Sequence, residues 1–300
     1  MAIATLQPRV WRLAVAVLLA MLIAAIALAA WVWWASEKHL ASFVPPPPFT
    51  TPIPTDEAAL DHGAHLAVTR GCTGCHGDAL QGDVFHDNAL TGRAVAANLT
   101  TLVRDHGPAV FERAVRHGID HDGKALYSMP SYNFVRLSDV DIAALYAHIR
   151  RLPVAEPPLP AAWLGLPRLM IALGDDFAIP AVNPKVPRLR WQTHADVGVR
   201  RGEYLAMTSC IECHGLTLRG DDPFLPTGEP PPPHSPPDLA LVANYDKADF
   251  IRLMRTGKAA GNRELRMMSG VARGRYAHWT DQEVEDLYAF LSAMGQKAAG

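Results

Sequence analysis

The sequence predicts an all-α protein: two tandem helical units behind a single N-terminal transmembrane helix. Three observations carry this. Leu13 to Ala35 runs for 23 residues without a charged side chain. A pentapeptide, C-x-x-C-H, occurs twice, as Cys72-Thr73-Gly74-Cys75-His76 and as Cys210-Ile211-Glu212-Cys213-His214. The residues after each pentapeptide then repeat in step. His76 to Phe111 is 35 residues, Phe111 to Gly118 is 7 and Gly118 to Met129 is 11. In the second unit His214 to Phe250 is 36, Phe250 to Gly257 is 7 and Gly257 to Met268 is 11. Agreement at this level marks an internal duplication.

Residues 1–44 form the N-terminus and the anchor. At 1.5 Å per residue the uncharged run makes a helix of roughly 35 Å, enough to cross a bilayer core. Trp31, Trp33 and Trp34 stand at its far end, where indoles favour the membrane interface. Arg9 and Arg12 precede it, so the positive-inside rule leaves them in the cytoplasm and sends everything after Glu37 across. A cleaved signal is the rival, with Ala27-Leu28-Ala29 as a small-residue site. The run is longer than the core of a signal peptide, which favours a retained anchor. Either way the rest of the chain is exported. Residues 45–55 contain Pro45 to Pro48, an extended, stiff stretch that reads as a spacer lifting the next unit off the membrane.

Residues 56–153 form the first unit. Ala58 to Arg70 and Val110 to His117 read as helices. Ser138, with Asp141 three residues on, starts another. Ile142, Leu145, Tyr146, Ile149 and Leu152 recur on one helical face, and Pro153 ends it. Residues 154–194 are a proline-rich connector, with eight prolines from Pro153 to Pro187. Its apolar piece, Trp163 to Leu173, is too short to span a membrane and is expected to pack as a short helix between the units, or to serve as a docking surface. Residues 195–300 form the second unit. Thr280, Glu283 and Tyr288 mirror Ser138, Asp141 and Tyr146 after a three-residue insertion.

The pentapeptide is the attachment signature of a c-type haem. Two thiols add to the haem edge and the adjacent histidine reaches the iron. The two copies use Cys72, Cys75, Cys210 and Cys213, the only cysteines in the chain. A four-cysteine zinc site normally closes within a few tens of residues, and a thioredoxin-like pair needs no partner histidine; neither matches this spacing. Two haem c groups, with His76 and His214 on the iron, are therefore expected.

A sixth ligand completes each iron or leaves it open. In the first unit Met129 is the only methionine between the motif and the final helix, and it precedes Pro130. His117 and His121 read as solvated. In the second unit repeat spacing selects Met268; Met267, His278 and an open site are the alternatives. Met254 and Met294 read as core. Arg263, Arg266, Arg273 and Arg275 surround Met268 and read as a solvated loop, with propionate neutralisation or partner docking as the other readings.

On these residues the chain resembles a membrane-anchored dihaem cytochrome c with class I domains in tandem. It is most similar to the cytochrome c subunits of bacterial periplasmic dehydrogenases. The resemblance covers roughly 56–153 and 195–300 and implies several helices wrapped around each haem. It implies electron transfer from a periplasmic dehydrogenase or other donor to a membrane oxidase or other respiratory acceptor, at the bacterial inner membrane, with no catalytic residue. Met268-Ser269 departs from the expected Met-Pro. The alternatives are a dihaem peroxidase or sulfur-compound dehydrogenase, and the dihaem subunit of a cbb3-type oxidase. The net charge of −2 gives no footprint for nucleic acid, which is not expected as a partner.

Overall fold

The computed structural model describes residues 8–44, 46–127, 129–155, 159–175, 179, 188–220 and 236–299. Pro45 of the spacer and stretches 156–158, 176–178 and 180–187 of the connector lie outside the described residues. The chain opens with α1 (Pro8–Leu40), 33 residues long and exposed along its apolar length. Among the described residues it is the one helix long and apolar enough to cross a membrane, judged by length and composition.

In the first unit come α2 (Glu57–Thr69), α3 (Cys72–His76), strands β1 (Asp83–Asn88) and β2 (Gly92–Ala96), then α4 (Leu99–Asp105), α5 (Pro108–His117) and α6 (Asp139–Arg151). Local chemistry sets the ends of these helices. Asp56 caps α2 and Asn98 caps α4 by accepting amide hydrogens from the first turn. Gly118 ends α5 at φ 63°, and its counterpart Gly257 ends a helix of the second unit at φ 73°. Both spacing landmarks are thus left-handed caps that a glycine takes without strain.

The connector holds β3 (Trp163–Leu164) and α7 (Pro167–Ala172). The second unit follows with α8 (Val197–Met207), α9 (Ile211–His214), α10 (Lys247–Thr256), β4 (Lys258–Ala259), β5 (Arg263–Glu264), α11 (Arg266–Gly274) and α12 (Asp281–Ala299). The architecture is mainly helical, as expected, with a small sheet that the all-α expectation lacked: β1, β2 and β3 run antiparallel in that order.

Each unit is built on one close helix crossing. Gly63 brings α2 onto α6, where a Cβ would overlap the Ala144 carbonyl; Gly202 brings α8 onto α12, where a Cβ would overlap the Asp286 carbonyl. The landmark aromatics pack behind these crossings. Phe111 meets Tyr146 at 5.7 Å between ring centres, and Phe250 meets Tyr288 at 5.4 Å. Both tyrosine hydroxyls donate to a backbone carbonyl at 3.1 Å, Val103 in one unit and Tyr245 in the other.

Two expectations are corrected. Trp163 to Leu173 does not lie between the units. Trp163 and Leu164 extend the first unit's sheet, and α7 packs against the end of α1. The cause is a small apolar cluster of Leu40, Ala125, Ile171 and Ile179, closed by Glu37, which accepts from Arg168 Nη1 and Lys124 Nζ at 2.7 Å each. Nor does the proline stretch lift the first unit away. The Ala125 amide donates to the Leu40 carbonyl at 2.8 Å, and Phe49 and Ile53 pack on the first core, so the unit sits directly on the end of α1.

The units are interlocked. Tyr132, just after Met129, is buried in the second core, and Tyr204 of α8 packs on the first. Arg70, 2% exposed, lies over the Trp279 ring at 5.6 Å.

Candidate functional site

Both pentapeptides fold into one short helical turn, α3 and α9, and leave it the same way. Gly77 and Gly215 follow at φ 76°. Leu80 and Leu218 then take the left-handed region at φ 55° and 64° although both are leucines, and both are buried. Such a conformation costs roughly 1–3 kcal/mol for a residue with a Cβ, so packing must hold it in place. The ladder around it is duplicated. Gly82 donates to the His76 carbonyl at 2.7 Å and Gly220 to the His214 carbonyl at 2.9 Å; Leu99 and Leu239 donate to the Leu80 and Leu218 carbonyls at 2.9 Å.

This turn aims the histidines. His76 Nδ1 donates to the Ala97 carbonyl at 2.7 Å and His214 Nδ1 to the Pro237 carbonyl at 2.9 Å. A carbonyl only accepts, so Nδ1 carries the hydrogen and Nε2 is the nitrogen with a lone pair that could bind a metal. Burial pushes both imidazole pKa values down, against the opposing pull of these bonds, which favours the neutral ligand form.

None of the four cysteines is joined in a disulfide. Burial pushes Cys72 up to about 11 and Cys210 up to about 12, and raises Cys75 and Cys213 as well. A dithiol redox couple needs the opposite shift. Among the described residues no cluster of three or more His, Cys, Asp or Glu side chains could hold a bare metal ion. One oriented imidazole beside two thiols is instead the donor set for a macrocycle that brings its own nitrogens, so the residues fit haem c.

Met129 lies outside any helix, half-buried against the core that Cys72 also joins. Met268 is half-buried against the core that contains Cys210, whereas Met267 is 73% exposed. The two methionine segments are fixed differently. Pro130 stiffens the first, and Ser131 Oγ donates to the Ala114 carbonyl at 2.9 Å. The second sits in the first turn of α11, where buried Ser269 donates to the Gly257 carbonyl at 2.6 Å and accepts the Leu265 amide at 2.7 Å. A serine tied to the preceding helix therefore stands where a proline was expected. Asn133 and Trp279 are buried, and Asn133 Nδ2 and Trp279 Nε1 have no protein partner among the described residues; both are donors of the kind that a ligand's carboxylate would satisfy.

Of the arginines around Met268, Arg263, Arg266 and Arg273 are exposed, as a solvated surface requires, although they do not form a single loop. Arg266 and Arg273 belong to α11, and Arg273 pairs with Glu264 at 2.6 Å. Arg275 reaches Glu212 inside the second pentapeptide at 3.1 Å, and its guanidinium fills the space where a Gly71 side chain would stand. Sequence spacing gave no sign of this contact. His117 pairs with Glu112, and His121 stacks on His106.

The family model described as Cytochrome c matches residues 60–153 and 199–295. The cytochrome c subunit of the quinone alcohol dehydrogenase of Gluconobacter oxydans (strain 621H) is 27% identical over 277 residues, covering 80% of this chain and 55% of that protein. The fructose dehydrogenase cytochrome subunit of Gluconobacter japonicus is 25% identical over 272 residues, covering 83% and 55%. The gluconate 2-dehydrogenase cytochrome c subunit of Pantoea cypripedii is 24% identical over 280 residues, covering 81% and 61%. The chain spans a little over half the length of these relatives.

Proposed function

The chain belongs to the cytochrome c family, and we propose on that premise that it is a non-catalytic electron carrier with two haem c groups. It takes electrons from a periplasmic dehydrogenase and hands them to a respiratory acceptor, such as an oxidase, in the inner membrane. The observation that carries this reading is the paired geometry: each unit holds a histidine with Nδ1 tied to a carbonyl and a methionine half-buried on the same core as the motif cysteines.

In this reading Cys72 and Cys75, and Cys210 and Cys213, hold the two macrocycles by thioether bonds. His76 and His214 bind iron through Nε2. Met129 and Met268 would supply the remaining iron ligands, which would leave no position for substrate. When bound, each haem supplies a one-electron ferric–ferrous couple, and methionine ligation raises its potential. The apolar cores around the motifs exclude water and lower the local dielectric.

The dehydrogenase donor rests on the relatives, whose names are those of cytochrome subunits of alcohol, fructose and gluconate dehydrogenases. The membrane location rests on α1. An anchor of this kind confines the search for an acceptor to the membrane surface and raises effective concentration. A peroxidase or sulfur-compound dehydrogenase needs an open iron, and a half-buried methionine in each unit speaks against one. Co-purification with a copper–haem oxidase core would instead favour the oxidase-subunit alternative.

The test is a redox titration of the detergent-extracted protein, followed by visible and near-infrared spectra with and without carbon monoxide. Two low-spin haems with methionine–iron charge transfer and no carbon monoxide binding are expected. A carbon-monoxide-reactive haem would overturn the carrier reading.

A further inference from the structure

Arg275 follows α11 and belongs to the second unit, yet its side chain touches the second pentapeptide and the residue that precedes the first. Nη1 donates to Glu212 Oε2 at 3.1 Å, and Glu212 stands between Cys210 and Cys213. The guanidinium carbon and Nε occupy the space beside Gly71, the residue before Cys72, so a Cβ at Gly71 would overlap them. A Cβ at Gly74, between Cys72 and Cys75, would lie 3.7 Å from Nη2. The ion pair is shielded, with Arg275 21% and Glu212 29% exposed.

One cation is therefore wedged between the two attachment turns, and one anion partly offsets it. The field reaches across the unit boundary. The Arg275 guanidinium lies against Gly71, just before the first motif, while Nη1 holds Glu212 within the second. At partly buried positions a unit charge acts more strongly than in bulk water.

We propose that Arg275 is an electrostatic bridge between the two haem sites: its guanidinium favours the reduced state of both, and Glu212 moderates it from the second motif. Reduction adds one negative charge at each iron, and a fixed cation near both attachment edges stabilises that charge at each. Arg275 is thus a positioning and tuning residue, in contact with the motif turns and not with iron. The proposal rests on the two-haem reading above.

The experiment is potentiometry of the full-length, detergent-extracted protein and its variants, after the haem content of each is confirmed as two per chain. Arg275→Gln is expected to shift both midpoint potentials downward, and Glu212→Gln to shift both upward. Arg275→Lys, which keeps the charge, is expected to stay closer to the parent protein. Movement of only one of the two waves would overturn the bridge. So would shifts of the same sign in Arg275→Gln and Glu212→Gln, because loosened packing and not charge would then be the cause. If Arg275→Gln fails to retain both haems, Glu212→Gln alone decides: unmoved potentials there sink the proposal. Failure of the carrier reading is distinguishable, since it is read as carbon monoxide binding or a single haem in the unsubstituted protein.

Discussion

Tyr204, in the second unit, donates its hydroxyl hydrogen to Asp141 of the first. The same oxygen accepts the Ser138 amide at 2.9 Å. Ser138 Oγ caps α6 by accepting the Asp141 amide, but the Asp141 carboxylate has turned away to His62 at 2.6 Å and to Tyr204. A tyrosine from the other unit therefore supplies the acceptor that would complete the capping box. In the second unit the box is closed locally, with Glu283 accepting from Thr280 N at 2.8 Å and Thr280 Oγ1 from Glu283 N at 3.1 Å. Glu283 is reached across the boundary as well, by His65 Nε2 at 2.9 Å. Counted from the glycines at the helix crossings, His65 and Tyr204 each stand two residues after Gly63 or Gly202. The duplication thus builds two equivalent cross-unit contacts from different side chains.

Tyr204→Phe removes the bond to Asp141 and leaves the Ser138 amide without its acceptor. A hydrogen bond to a charged group is worth about 1.5–3 kcal/mol, and a loss of stability in that range is expected. Chemical denaturation followed by far-ultraviolet circular dichroism measures it. A loss near zero would mean that water replaces the hydroxyl at no cost.

The same network sets a pH dependence. The hydrogen bond to Asp141 raises the His62 pKa above its ordinary 6.5, outweighing burial and the Arg70 charge, with Glu283 assisting. This contribution is complete below about pH 6.5 and is lost as pH rises through the elevated value. Burial pushes Asp141 up, but the bonds from His62 and Tyr204 and the charges of His62 and Arg70 bring it below its ordinary 3.8. That contribution is present above about pH 3.8 and is lost as pH falls through the depressed value. Thermal melts taken from about pH 6 to about pH 8 should show a declining midpoint, and His62→Gln should flatten the decline. Equal slopes in parent and variant would assign the effect elsewhere.

The sequence made the motifs legible because haem attachment needs particular residue types at fixed spacing. It also made the final helices legible, since Ser138 and Thr280 announce caps and the apolar positions keep one face. The landmark residues used to align the repeats are physical partners: Phe111 with Tyr146, Phe250 with Tyr288. Relations between elements were not legible. His65 and Glu283 are 218 residues apart, and nothing local links them. A six-residue helix such as α7 carries no mark of its partner, so its docking on α1 was missed. β1 exposes most of its side chains and lacks the alternation that would announce a strand. Arg275 resembled its three arginine neighbours until the fold set it beside Gly71 and Glu212.

Gly63 and Gly202 offer a test of the helix crossings. Alanine favours a helix by about 0.5–1 kcal/mol over glycine, so a substitution free of contacts would stabilise. At both positions a Cβ runs into the backbone of the partner helix, which cannot swing aside as a side chain can. Gly63→Ala and Gly202→Ala are expected to destabilise by about 1–3 kcal/mol, the usual cost of overpacking. Gly270→Ala, in α11 with open space around it, is the control and should be neutral or mildly stabilising. Thermal melts of the three variants compare them directly; a stabilised Gly63→Ala would mean that the crossing opens readily.

Met267 and Met268 are adjacent, and their surroundings separate them. Met267 is 73% exposed, while Met268 is half-buried against the second core beside Ser269, whose two short hydrogen bonds hold the turn. A thioether that must meet an iron reliably belongs on the constrained side chain, since a solvated one loses rotamer freedom on binding. On the proposed two-haem reading, Met268→Ala should remove methionine–iron charge transfer from one haem and admit carbon monoxide there, and loss of the thioether should lower that potential. Met267→Ala should leave the spectrum and both potentials unchanged. Ser269→Ala, which unties the turn without touching either thioether, should weaken the band without abolishing it. The reverse pattern, with Met267→Ala opening the iron, would require α11 to turn by about 100° per residue and would assign the ligand to the other methionine.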